Sequence, residues 1–196
     1  VKPKGVILYG PPGAGKDTVT AELSSLSSAY RLFQRLKAGP GRTTGYRLTT
    51  ADHLAELDAS GGLLYSNERY GARYGIDRAG LTEMFDAGTV PILHMGQIAG
   101  AVAVEKYPAG WVRVLLWCSR TATASRCERR GDQDVPARLE VWDETRLDLL
   151  EHHREPGWAL VIDTEQASPQ ASAELIHDAV SSEAMRSVPL LDEWLP

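Results

Sequence analysis

The run Gly10-Pro11-Pro12-Gly13-Ala14-Gly15-Lys16-Asp17-Thr18 carries the clearest chemical signal in the chain. Gly10, Gly15 and Lys16 have the spacing of a loop whose backbone N–H groups curl around phosphate oxygens. Glycine permits the tight curl, and a helix starting there turns its positive dipole end toward the anion. Lys16 supplies a mobile positive charge for the outer phosphates, so Gly10 to Thr18 is the expected site for ATP. Asp17 is a departure. It stands where Ser or Thr commonly gives a hydroxyl to magnesium, and Thr18 follows one residue late. Mg2+ would bridge the β and γ oxygens of ATP. Asp17 is a hard oxygen ligand that could meet it directly or through water, and Thr18 could supply a hydroxyl instead.

Such a loop needs a strand before it and a helix after it. Val6 to Tyr9 is an apolar run that reads as a buried strand, and Gly15 to about Tyr30 reads as the helix. Residues 38–45 form a loop, Tyr46 to Thr49 a short strand, and Thr50 caps a helix to about Ala59. Leu63 to Ser66 and Arg73 to Ile76 pair as strands, and Asp77 caps a helix ending near Gly88. Val90 to Met95, Val112 to Cys118 and Ala159 to Ile162 are further strands. Helices follow over about Gln97–Glu105, Thr121–Arg129, Ala137–His153 and Ser168–Val180. Strands alternating with helices predict an α/β fold with a parallel sheet between helical layers, and the loop at Gly10 to Thr18 makes the P-loop NTPase type the expected one.

Composition sets bounds. At 196 residues and 43% hydrophobic content, one domain with a real core is expected. A formal charge of -5 argues against a nonspecific nucleic-acid binder. Cys118 and Cys127 have no metal-ligand spacing and read as free thiols. No apolar run approaches the ~20 residues that span a bilayer, so a cytoplasmic enzyme, monomeric or homodimeric, is expected. Trp111, Trp117, Trp142 and Trp158 read as packing residues, and His152-His153 as surface.

The order of these pieces resembles the guanylate kinase family over about residues 4 to 180. The phosphate loop, Tyr46 to Leu54, Arg73-Tyr74-Gly75-Ile76, and Arg126 to Gly131 with Arg138-Leu139 carry the likeness. The resemblance implies a substrate-binding subregion over about 33–76, a mobile lid over about 126–138, and a tail over 181–196. It implies that Arg130 and Arg138 neutralise the phosphoryl group in flight, with Arg126 assisting. It places the acceptor's phosphate near Tyr46, Tyr74 and one or more of Arg35, Lys37 and Arg42. Glu68, Arg69, His94 and Gln97 are candidates to read the rest of the acceptor, with His94 or Glu68 as the base for a hydroxyl acceptor.

The departures matter. The acid with which the family reads guanine falls at Tyr65, and the acid after the strand is missing from Ile92-Leu93-His94-Met95-Gly96-Gln97. Gly15-Lys16-Asp17-Thr18 is more similar to the ribose 1,5-bisphosphate kinase sister group. The expected activity is ATP-dependent phosphoryl transfer to a small phosphorylated or nucleoside-like acceptor. The alternatives are a ribose 1,5-bisphosphate kinase, a kinase acting on a hydroxyl of a specialised metabolite, and a non-catalytic interaction module of the same fold.

Overall fold

The structure, a computed structural model, describes residues 2–69, 71–152 and 157–182. Its central sheet is built on β1 (Lys4–Tyr9), whose Val6, Ile7, Leu8 and Tyr9 are wholly buried. Burial on both faces explains why this strand reads as an unbroken apolar run rather than an alternating one. β7 (Val90–Met95) and β8 (Gly110–Trp117) flank it in parallel. β2 (Tyr30–Leu32) extends the β7 side and β9 (Leu160–Asp163) the β8 side, also in parallel. The order is β2-β7-β1-β8-β9. The chain leaves β1 to one side and later returns to the other. The carboxyl end of β1 is therefore the switch point at which open α/β sheets hold ligands.

Helices cover both faces. α1 (Lys16–Leu26) and α7 (Pro169–Ser181) pack Val19, Leu23, Ala173 and Ile176 against Val6 and Leu8. On the other face, α3 (Arg78–Asp86), α4 (Ile98–Glu105) and α6 (Val135–Glu151) join Ile7 and Tyr9. Trp111, Trp117, Trp142 and Trp158 are all buried in that layer. Helix starts follow their capping residues. The side chains of Thr50, Asp77, Ser119 and Ser168 accept from backbone N–H groups of the first turns of α2 (Ala51–Ala59), α3, α5 (Arg120–Arg130) and α7. No helix among the described residues is long and apolar enough to cross a membrane.

A second sheet stands beside the first, in the order β4-β3-β6-β5. It comprises β3 (Arg35–Ala38), β4 (Tyr46–Leu48), β5 (Leu63–Arg69) and β6 (Ala72–Asp77). Leu36, Ala38 and Leu54 form a small core beneath α2. The opposite face is polar and aromatic.

Two sequence expectations need correction. α1 ends at Leu26, well before Tyr30. Ser24 and Ser25 turn their hydroxyls back to the carbonyls of Thr20 and Ala21, a competition that weakens helix propagation. Tyr30 then starts β2, and β2 and β3 had no counterpart among the expected strands. Lys37 and Arg35 interrupt the apolar signal of β3 because they face a site rather than a core. The remaining boundaries differ by a few residues at most. His153 and the tail residues 183–196 lie outside the described residues.

Candidate active site

The phosphate loop is shaped by backbone constraints at two glycines. A Cβ on Gly10 would lie 2.1 Å from the carbonyl oxygen of Leu116, so only glycine lets β1 turn beside β8. Gly15 sits at the α1 N-cap with φ 82, the left-handed region that glycine adopts freely. Gly10 N donates to Met95 O at 3.2 Å, which ties the loop to the end of β7. Pro11, Pro12, Gly13 and Ala14 complete the curl. Ala14 is buried, and the carbonyl of Pro12 accepts from Thr123 Oγ1 at 3.0 Å.

Lys16 Nζ folds back over the loop and donates to the carbonyls of Gly10 at 2.5 Å and Pro11 at 2.8 Å. Burial pushes its pKa down to about 8, and the charges of Arg69 and Arg138 add to the depression. An arriving phosphate would replace two neutral carbonyls with a full negative charge.

A cavity of about 340 Å³ is lined in part by Met95, the residue to which Gly10 of the loop donates. β3 lines it with Arg35 and Lys37, and the following turn with Pro40, Gly41 and Arg42. Tyr46, Tyr65, Asn67, Arg69 and Tyr74 come from the other strands of the second sheet. Met95, Gly96 and Gln97 close the floor, and Asp134 and Arg138 enter from the start of α6. Five cationic side chains thus line the cavity with a single carboxylate. Strand alternation explains the gathering. Arg35 is in register with Tyr46, and Lys37 and Asn67 with Tyr74, all on the face away from α2.

Several of these groups are held in place. Lys37 is buried and donates to the carbonyls of Pro40 at 2.6 Å and Arg42 at 2.7 Å, which shapes the turn. Arg35 donates through Nη2 to Asn67 Oδ1 and lies over the Tyr74 ring at 5.4 Å. Its Nε is buried with no hydrogen-bond partner, and burial depresses its pKa. Tyr65 donates to Gln97 Oε1 at 2.7 Å, and Arg69 pairs with Glu144 at 2.8 Å.

Glu68 does not line the cavity. It is exposed and in register with Arg73, which reaches to Asp58 of α2, so it belongs to the opposite face. His94 also lies off the cavity. It turns toward α1, with Nε2 2.8 Å from Thr20 Oγ1 and Nδ1 3.7 Å from Asp17 Oδ1. Burial, with help from Lys16, pushes its pKa down to about 4, so its imidazole is neutral at pH 7. Sequence reasoning missed Asn67, Asp134 and Asp132. The polar members of β5 at Tyr65, Asn67 and Arg69 alternate with period two, and that pattern could have flagged Asn67.

The arginines of α5 and α6 divide by position. Arg138 lines the cavity. Arg130 pairs with Asp132, whose carboxylate also lies 3.8 Å from Arg138 Nε. The hydrogen bond from Arg130 holds the Asp132 carboxyl below its usual range. Asp132 thus balances both arginines. Arg126 instead spans the structure beneath them. It donates to Gly13 O at 2.9 Å and to Thr164 Oγ1 and O at 2.9 and 2.7 Å, joining the phosphate loop to the end of β9.

The donor chemistry at Asp17 fits a divalent cation. Asp17 is an exposed carboxylate in the first turn of α1, beside Lys16 and the mouth of the loop, and Thr18 next to it is also exposed. Among the described residues, no three His, Cys, Asp or Glu side chains cluster to hold an ion alone. Phosphate oxygens and water would therefore complete the coordination.

Comparison with solved structures places the fold. A guanylate kinase from Anaplasma phagocytophilum matches with a TM-score of 0.64 at 18% identity, over 94% of this chain and 88% of that one. The chain has a guanylate kinase-like P-loop kinase fold. A deoxyadenosine kinase from M. mycoides with bound dATP matches the same fold with a TM-score of 0.50 at 14% identity, over 91% of this chain and all of that one. No protein-family model matches, and no curated protein matches. Within this guanylate kinase-like fold the phosphate loop and the cationic cavity meet at the carboxyl end of β1.

Proposed function

We propose that the chain is an ATP-dependent kinase that transfers the γ-phosphoryl group to a small acceptor bearing a phosphate. The observation that carries this reading is the cavity with Arg35, Lys37, Arg42, Arg69 and Arg138 on its walls, joined to the phosphate loop through Met95, whose carbonyl accepts from Gly10. A cavity with that surplus of cations attracts an anion. The intact loop with its lysine argues against a non-catalytic interaction module.

Phosphoryl transfer demands positioning and positive charge more than covalent help. Lys16 and the loop amides would hold the donor's β and γ phosphates. Arg35, Arg42 and the hydroxyls of Tyr46 and Tyr74 would hold the acceptor's phosphate. Arg138, with Arg130 released from Asp132, would neutralise the group in flight. Arginine suits this role because its planar fork grips two oxygens at once. Magnesium, held through Asp17 with Thr18 beside it, would neutralise charge on the β and γ oxygens. A phosphate acceptor is already ionised at neutral pH and needs no general base.

The acceptor's remaining part would meet Tyr65, Asn67 and Gln97, which are neutral. An acid suited to the donor edge of guanine is absent from these three positions. That composition favours a sugar phosphate, such as ribose 1,5-bisphosphate, over guanosine monophosphate. Parallel ADP-release assays with the two acceptors, and with hydroxyl acceptors lacking phosphate, test this. The reading predicts turnover with sugar phosphates. Turnover confined to guanosine monophosphate or to uncharged acceptors would overturn it.

A further inference from the structure

The Asp17–His94 contact is used by none of the steps above. His94 Nε2 meets Thr20 Oγ1 at 2.8 Å, while Nδ1 faces Asp17 Oδ1 at 3.7 Å. If the threonine hydroxyl accepts, the imidazole proton sits on Nε2. The Nδ1 lone pair then faces a carboxylate oxygen. Two acceptors turned toward one another repel unless a cation lies between them. Adjacent ligands of a six-coordinate ion at ~2.1 Å stand about 3 Å apart, so a small turn of the exposed Asp17 carboxylate that closes the 3.7 Å gap would let both atoms bind one ion. Metal-bound histidines commonly have the far ring nitrogen fixed by a hydrogen bond, and Thr20, itself buried, would supply that bond here.

The place is also right. Asp17 follows Lys16 directly, and His94 occupies β7 next to Met95, whose carbonyl accepts from Gly10 of the loop. An ion between the two side chains would lie at the mouth of the phosphate loop, where β and γ oxygens can reach it.

We propose that Asp17 Oδ1 and His94 Nδ1 together ligate the divalent cation of the donor nucleotide, forming a carboxylate–imidazole pair that favours Mn2+ or Co2+ over Mg2+. The inference rests on the donor-site reading given above. Imidazole is a good ligand for first-row transition ions, whereas Mg2+ takes oxygen and keeps its water. An all-oxygen site would show no such preference for this reason.

The test is pulsed electron paramagnetic resonance on Mn2+ bound to the protein with β,γ-methylene ATP, using protein grown with 15N-histidine. The expected result is a 15N coupling on the Mn2+ signal, lost in His94→Asn. Titration should show Mn2+·nucleotide affinity falling about tenfold or more in that variant, and Mg2+·nucleotide affinity falling less. His94→Gln, a second neutral replacement, guards against a folding defect peculiar to one variant. A bound Mn2+·nucleotide complex without histidine coupling would overturn the inference and leave the kinase reading standing. In that case His94 donates from Nδ1 to Asp17 and merely positions it. Failure of the wild-type protein to bind the nucleotide at all would instead overturn both readings.

Discussion

Replacing Arg35 by methionine should make the protein more stable and less able to hold an anion. Arg35 Nε is buried without a partner, a situation that costs about 1–3 kcal/mol. Methionine has comparable length and no polar hydrogen. The change also loses the bond from Nη2 to Asn67, worth about 1 kcal/mol. The balance is a gain of about 1 kcal/mol, or about 2–4 °C in Tm for a chain of this size. On the binding side, truncating one partner of a buried charge pair commonly removes about 2 kcal/mol or more, which is about 30-fold in affinity. The assay is thermal denaturation with and without inorganic phosphate, in the presence of saturating β,γ-methylene ATP to fill the phosphate loop. Phosphate at roughly ten times its wild-type Kd should stabilise the wild type by about 1.4 kcal/mol and Arg35→Met by about 0.2 kcal/mol. A variant that is destabilised by more than about 1 kcal/mol yet equally protected by phosphate would refute this reasoning.

Other residues give sharper local tests. Because Lys16 in the free protein titrates near 8, nucleotide affinity should fall by up to about tenfold per pH unit above that value. Calorimetry in two buffers should then show proton uptake on binding, absent in Lys16→Ala. The same depression means that the unfolded chain is the more protonated state between pH 8 and the ordinary 10.5, so this lysine's contribution to stability rises with pH across that window. In Gly10→Ala, the new methyl would sit 2.1 Å from Leu116 O, a backbone atom that cannot swing away. Urea denaturation should show a loss of about 3 kcal/mol or more, together with lost nucleotide binding. Arg126→Lys breaks a three-point tether, so the KM for ATP should rise at least several-fold with little change in kcat. An equal fall in kcat and kcat/KM would instead assign Arg126 to the transition state.

Much of the layered fold was legible because its signals are local. Val6 to Tyr9 is apolar throughout, and Thr50, Asp77 and Ser168 cap their helices as expected. The phosphate loop was readable because glycine and lysine spacing encodes its geometry directly. The second sheet was harder. β3 places Arg35 and Lys37 on a face that contacts neither core nor bulk water, so its alternation looks like solvent exposure. β5 carries a register irregularity between Leu63 and Tyr65, and the two face opposite ways despite their spacing of two. Simple alternation from Leu63 would therefore assign Tyr65, Asn67 and Arg69 to the wrong face. Glu68 and His94 are titratable and adjacent in sequence to the site, yet pleat direction turns both away from the cavity. Asp132 was invisible for a different reason. Its partners, Arg130 and Arg138, meet it only because Gly131 ends α5 in the left-handed region and reverses the chain.

The central claim is that the cationic cavity receives the phosphate that the loop gives up. The direct measurement is transfer of label from γ-32P-ATP to a panel of small phosphate-bearing acceptors, with Lys16→Ala alongside. The account predicts a labelled product that carries one phosphate more than the acceptor, formed by the wild type and not by Lys16→Ala. Label released only as inorganic phosphate with every acceptor, or an equal product yield from Lys16→Ala, would contradict it.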